Sequence, residues 1–403
     1  MVREADSRTP SLAELGHLLV QVGIVSAKQW AAATAGGATE PSVVLDRLEE
    51  QPAEWLSSEP ALSRYQRKCI EKRLAKGLRD LDRDLRVNDF LIRAHLGDGG
   101  MGSVFLAWSI EMRRLVAVKR LTSNNPHLRD RMAQEAVILR KLKHPTIARY
   151  VAYEVNDDGD GSVLAMEYIH GPTLKEYCDR HKSVPTDLAV GWTVQLLEAL
   201  AHAHSHGVIH RDLTPRNIII VTPPDAAPFP RLVDFGLAKL SEATMGLTMA
   251  QTAIGTPQFM PPEQFADAAN VTAASDLYSL GCNLFLMLTG RPPFEGNQFP
   301  ALCLAHTNQT PPRVRDLVTV PKHVDAAVAQ MLSKNPAARG TVEELVRKLT
   351  GSASSSGVLV AASPRRPRPL PLPLSRSVSR RRALLPSGAR LSPRSNLPPL
   401  RRS

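Results

Sequence analysis

The most constraining feature of the chain is a glycine-rich turn set between two runs of alternating residues. Phe90, Ile92, Ala94 and Leu96 recur at every second position. Gly97-Asp98-Gly99-Gly100-Met101-Gly102-Ser103-Val104 follows, and Val104, Leu106 and Trp108 alternate again. A period of two is the signature of a half-buried strand, so the stretch predicts strand, tight turn, strand. Glycines let a backbone approach a ligand and point N–H groups at phosphate oxygens with no Cβ in the way. Because the turn joins two strands instead of opening a helix, it argues against a Rossmann dinucleotide site.

Lys119 lies fifteen residues beyond Val104, in Val116-Ala117-Val118-Lys119 on a third predicted strand, Leu115–Leu121. A lysine on a buried strand needs an anion, unless it sits at the strand end and reaches solvent. The candidate partner is Glu135. Met132, Ala136, Leu139 and Leu142 form the apolar stripe of a predicted helix, and Glu135 falls inside that stripe. An inward carboxylate is costly unless paired. Lys119 between Glu135 and a nucleotide phosphate satisfies both groups.

Residues 1–88 read as a small helical region without chemistry of its own. Leu12, Leu15, Leu18, Leu19 and Val22 form one helical face that Gly23 ends, a break runs from about Ala35 to Pro41, and helical stretches follow at Val43–Leu48 and Leu62–Leu81. After about Thr186 the long elements are helical. Strands followed by helices predict two lobes.

The formal charge of +11 would suggest nucleic acid, but it is localised. Residues 351–403 hold 11 arginines and no acid, which leaves 39 basic against 39 acidic residues before them. The tail is rich in Arg, Pro, Ser and Leu and lacks apolar periodicity, so it is expected to be disordered. A polyanion-binding arm, a proline-rich ligand and the product of a shifted reading frame are the sharper alternatives. No apolar run is long enough for a membrane span and no secretory signal opens the chain. Four scattered cysteines without a CxxC pair fit a reducing cytosol.

Val208-Ile209-His210-Arg211-Asp212-Leu213-Thr214-Pro215-Arg216-Asn217 precedes an apolar strand, and Leu232-Val233-Asp234-Phe235-Gly236 lies downstream. With these segments the ordered set GxGxxGxV, VAVK, Glu, HRDxxxxN, DFG and PPE resembles a protein kinase, and more narrowly the bacterial eukaryotic-like Ser/Thr kinases. The resemblance covers about residues 90–350. It implies an α+β, bilobal protein-kinase fold, with a β-rich N-lobe and a helical C-lobe, between the helical region 1–88 and the tail 351–403.

The same resemblance implies the roles. Asp212 accepts the proton of a substrate hydroxyl, and Asn217 and Asp234 hold Mg²⁺ against the phosphates of ATP. Leu96, Gly97, Gly99, Gly100, Gly102, Val104, Ala117, Lys119, Glu135 and Ile219 line the nucleotide site. Met166 is the gatekeeper, and the backbone of Glu167 and Ile169 meets the adenine edge. His210 and Phe235 pack, and Asp276 holds the catalytic-loop backbone. Glu263 pairs with Arg339. Arg211 reads a phosphate on the activation segment, with Thr248 and Thr252 as candidate acceptors and Thr256 favouring Ser/Thr substrates.

The chain departs from the pattern at Thr214, where Ser/Thr kinases usually carry a lysine toward the γ-phosphate. Arg216, two residues on, is where tyrosine kinases commonly place an arginine, and it is the candidate replacement; Arg and Lys differ in reach and geometry. A pseudokinase scaffold and a dual-specificity kinase are the alternatives to an active Ser/Thr kinase. His202, His204 and His206 read as residues of a solvated helix and not as metal ligands. Protein substrates, autophosphorylation and a cytoplasmic location are expected, dimerisation is an open route of activation, and no specific nucleic acid is expected.

Overall fold

The computed structural model describes residues 10–351 apart from 55, 75–77, 79–80, 100–101, 122–125, 156–161, 236–256, 267–270 and 297. Gly100, Thr248, Thr252, Thr256 and the tail from 352 onward lie outside the described residues.

The first elements among the described residues are α1 (Leu12–Val22), α2 (Ala27–Thr34) and α3 (Pro41–Glu50). Ser11 and Glu14 form a capping box on α1, Ser26 and Gln29 one on α2, and Pro41 takes the first turn of α3, where its missing N–H costs nothing. The sequence reading missed α2, whose alanine-rich stretch has little apolar contrast between faces. It also missed a small hairpin, β1 (Pro52–Ala53) and β2 (Leu56–Pro60), so residues 1–88 are not wholly helical. The single helix expected over Leu62–Leu81 is α4 (Arg64–Leu74) followed by a short α5 (Leu81–Leu85).

β3 (Arg86–Val87), β4 (Phe90–Gly99), β5 (Gly102–Ser109), β6 (Arg114–Leu121), β7 (Tyr150–Val155) and β8 (Ser162–Glu167) form one antiparallel sheet in the order β3-β4-β5-β6-β8-β7. β4 and β5 pair down to Gly99 opposite Gly102, and Val104 faces Lys119 in register on β6. A Cβ on Gly102 would stand 2.0 Å from the Arg120 carbonyl, so close packing against β6 excludes any side chain there. α6 (Pro126–Leu139) lies against β7 and β8 and buries Met132, Ala136 and Leu139.

The second half is mostly helical: α7 (Leu174–His181), α8 (Thr186–Ser205), the hairpin β9 (Ile218–Val221) and β10 (Phe229–Leu232), then α9 (Pro262–Ala266), α10 (Ala273–Thr289), α11 (Phe299–Asn308), α12 (Lys322–Met331) and α13 (Val342–Leu349). α10 is buried on every side from Ser275 to Leu288, its polar residues included; α8 and α12 pack against it, and α13 packs against those two in the same core. That core continues through Met132, Leu164 and Met166 of the sheet half.

Candidate active site

Lys119 is 5% exposed and stands between two carboxylates, Glu135 Oε1 at 3.4 Å and Asp234 Oδ1 at 3.3 Å. Burial alone pulls the lysine pKa down, but Asp234 and Glu135 outweigh it and hold the ammonium charged above its ordinary range. Glu135 is buried more deeply, and burial pushes its carboxyl up against the pull of Lys119. The structure thus brings together three expected residues from β6, α6 and the loop after β10.

The loop before β9 is held from below. Asp276 Oδ2 accepts the backbone N–H of His210 (2.8 Å), and Oδ1 accepts that of Arg211 (2.9 Å). Asn283 Nδ2 donates to Leu213 O at 2.9 Å, and Ser279 Oγ to Phe259 O at 2.8 Å. Asp276, Ser279 and Asn283 fall at i, i+3 and i+7 of α10, on one face. That polar stripe in an apolar helix was the available signal for Ser279 and Asn283, which the sequence reading passed over. That reading placed His204 on a solvated helix, whereas its side chain is largely enclosed and its Nε2 lies 2.7 Å from Asp276 Oδ2. The neighbouring histidines have local partners too: His202 Nε2 accepts the Lys143 N–H, and His206 Nδ1 bonds to His202 O.

Asn217 Nδ2 donates to Asp212 O at 2.8 Å, with Asp212 Oδ2 at 3.4 Å, and this leaves the Asn217 amide oxygen as its second functional atom. Arg211 (φ 65) and Asp234 (φ 56) both occupy the left-handed region, which non-glycine residues hold only when their surroundings over-determine them. Asp276 fixes the first and Lys119 the second. The His210 ring packs on Phe235 at 4.6 Å between centroids, and both are buried.

Toward the sheet, Met166 is buried and pairs with Ala117 in register, and Ile169 is 9% exposed. The Glu167 N–H is already bonded to Arg149 O at 2.8 Å, so its backbone can offer an adenine edge only its carbonyl. The Glu167 carboxylate meets Arg231 Nη2 at 2.7 Å and accepts the Arg149 N–H at 3.2 Å, a tie that sequence reasoning missed. Leu96 is 47% exposed beside Gly97, while Val104 and Ile219 are half-buried. Thr214 is buried and its N–H donates to Asp212 O at 2.9 Å, whereas Arg216 is exposed and makes no ion pair with a described residue.

Behind the site, Arg339 is fully buried and forms a two-pronged pair with Glu263, Nη1 to Oε1 at 2.6 Å and Nη2 to Oε2 at 2.8 Å. Ser275 Oγ adds a bond to Glu263 Oε1 at 2.6 Å. These bonds pull the Glu263 carboxyl below its ordinary range against the opposing effect of burial.

Comparison with known proteins agrees with this architecture. Residues 90–349 match the protein kinase domain family. A probable serine/threonine-protein kinase of Streptomyces coelicolor, SCO3848, is 36% identical over 252 residues, covering 60% of this chain and 36% of the relative. The serine/threonine-protein kinase pkn3 of Myxococcus xanthus is 31% identical over 286 residues, covering 69% of this chain and 52% of the relative. The chain thus spans between about a third and about half of these relatives' lengths. The crystal structure of the Mycobacterium tuberculosis PknI kinase domain superposes with a TM-score of 0.50 at 24% identity, over 66% of this chain and 98% of that one, and shows the shared fold. Among the described residues no helix is long and apolar enough to cross a membrane. With the family match spanning most of the chain and the sheet, helical core and buried lysine arranged as above, the chain belongs to the protein kinase family.

Proposed function

We propose that the chain is an ATP-dependent protein kinase that phosphorylates serine and threonine hydroxyls of proteins. The observation that carries this reading is Lys119 held between Glu135 and Asp234. An ammonium fixed there by two acids presents its charge at the floor of the glycine turn, where the phosphates of ATP would lie.

In this reading Asp212 orients the attacking hydroxyl and accepts its proton, while the hydroxyl oxygen bonds to the γ-phosphorus and the bond to the β–γ bridging oxygen breaks, releasing ADP. The carboxylate of Asp234 and the amide oxygen of Asn217 suit a hard divalent cation, Mg²⁺, because both are oxygen donors and the Asn217 amine is already engaged by Asp212. When bound, such a cation neutralises charge on the phosphates. Gly97, Gly99, Gly100 and Gly102 supply backbone N–H groups to the same phosphates. Ala117, Met166, Ile169 and Ile219 sandwich the base. Arg216, exposed and unengaged by described residues, supplies the positive charge that Thr214 cannot. Arg211 serves as the cation for a phosphate on Thr248 or Thr252. Four free thiols support a cytosolic setting.

Purified chain given labelled ATP, Mg²⁺ and a generic basic protein tests the reading by phosphoamino-acid analysis. Label on serine and threonine that requires the divalent cation supports it; label confined to tyrosine, or none, refutes it. Thr214→Lys beside Arg216→Ala then separates the two routes to a γ-phosphate cation.

A further inference from the structure

The residues that precede the kinase match are built into the sheet that carries the glycine turn. Leu91 of β4 and Trp108 of β5 lie in one apolar cluster with Leu15, Leu19, Leu48 and Leu85 of the N-terminal helices. β3 pairs with the start of β4 only, Arg86 opposite Leu91 and Val87 opposite Phe90. From Ile92 onward no strand among the described residues neighbours the outer edge of β4, although this is the strand that delivers the glycine turn.

The segment 60–66 occupies that edge. The β4–β5 register shifts between Ile92 and Ala94, a bulge that releases Arg93 from the ladder. Arg93 is 3% exposed. Its Nη2 donates to Pro60 O at 2.5 Å, and its Nη1 to Ala61 O at 3.2 Å and Gln66 Oε1 at 2.8 Å. Ser63 Oγ returns a bond to Arg93 O at 2.7 Å. Burial draws the Arg93 pKa down to about 10, so the group stays charged at neutral pH and these oxygens stand in for its water. Two more ties reach the neighbouring strands. The Tyr65 ring meets Phe105 of β5 edge-on at 5.9 Å, and Arg120, the residue after Lys119, donates to Arg83 O at 2.9 Å.

We propose that Ser63, Gln66 and Arg93 are positioning residues of the nucleotide site, through which the N-terminal region holds β4 and its glycine turn in place for a nucleoside triphosphate. The identity of that ligand rests on the kinase reading above. An unpaired strand edge opens more readily than a paired one, and a loop on such an edge loses nucleotide by mobility before it loses its fold. The bonds to Arg93 supply at that edge the restraint that a neighbouring strand would give.

The test uses the full chain with Ser63→Ala, Arg93→Met and Arg93→Lys. It measures the Kd for a fluorescent ATP analogue with Mg²⁺, the KM and kcat of transfer, and the Tm. Ser63→Ala is expected to weaken nucleotide binding about two- to threefold and Arg93→Met about tenfold, with Arg93→Lys between wild type and Arg93→Met. KM should follow Kd while kcat stays within about twofold of wild type. A merely structural role lowers Tm and the active fraction but leaves Kd of the folded protein unchanged, and that result overturns the proposal. Should Arg93→Met not fold, Ser63→Ala combined with Gln66→Met decides by the same Kd criterion. Nucleotide binding without transfer would defeat the kinase reading and leave this one to be judged on Kd; absence of nucleotide binding in the unsubstituted chain would overturn both.

Discussion

Asp276 Oδ1 accepts the backbone N–H of Arg211 at 2.9 Å and so fixes a left-handed arginine immediately before Asp212. The other oxygen receives the His210 N–H and lies against His204. Asp276→Ala leaves the buried His210 N–H without its partner, at about 1–3 kcal/mol, and frees the half-buried Arg211 N–H as well. Transfer is expected to fall at least tenfold, together with a lower Tm by calorimetry. Asp276→Asn keeps one acceptor oxygen and is expected to lie between.

Glu263 and Arg339 form the principal ion pair behind the site, with Arg339 wholly enclosed. Removing one partner strands a buried charge, so Arg339→Met or Glu263→Gln is expected to cost roughly 3–5 kcal/mol in urea unfolding. The double variant should recover part of that loss.

Lys119→Met removes the cation shared by Glu135 and Asp234. Transfer should drop at least about a hundredfold, as for other preorganised charges in a catalytic site. The circular dichroism spectrum should be retained, because an uncharged Glu135 can remain buried.

Acid should loosen the helical half through His306. This ring is fully buried beside Tyr278 Oη at 2.9 Å, with Lys334 close by, and burial followed by the Lys334 charge pushes its pKa from 6.5 down to about 4. Between those values the unfolded chain holds a proton that the folded chain lacks, so stability is full above pH 6.5 and falls as pH drops toward 4. The loss across the window is roughly 3 kcal/mol. Unfolding at pH 7 and pH 4.5 checks it, and His306→Gln should remove this share of the slope.

Glu167 and Arg231 join the end of β8 to the strand leading into Asp234. Arg231→Met should raise the KM for ATP severalfold with little change in kcat, and Arg231→Lys should restore part of it. An unchanged KM would show that the pair does not act on the nucleotide site.

The sequence made the local and motif-bound parts of this arrangement legible. Glu135 was visible as a carboxylate inside an apolar stripe, and Lys119 as a cation on a buried strand that needed one. The pairing of Glu263 with Arg339 followed from family resemblance. What stayed hidden depends on partners distant in sequence and without a side-chain signature. Arg93 is held by the carbonyls of Pro60 and Ala61, which any residue carries, and by the distant Gln66 side chain, which no local pattern ties to it; the bulge that frees it leaves no mark in the alternation of β4. His204 was one of three histidines on a helix, and only the tertiary position of Asp276 distinguishes it. α2 and the β1–β2 hairpin are short, and α2 is held through Ala33 and Trp30 in the N-terminal apolar cluster more than by local propensity.

The most direct measurement is transfer of labelled γ-phosphate by the purified full chain beside Asp212→Asn, with modified residues mapped by mass spectrometry. The account predicts serine and threonine phosphorylation that falls at least about a thousandfold in Asp212→Asn while the variant still binds nucleotide. Equal labelling in both proteins, or no transfer from a folded chain that binds Mg²⁺ and ATP, would contradict it.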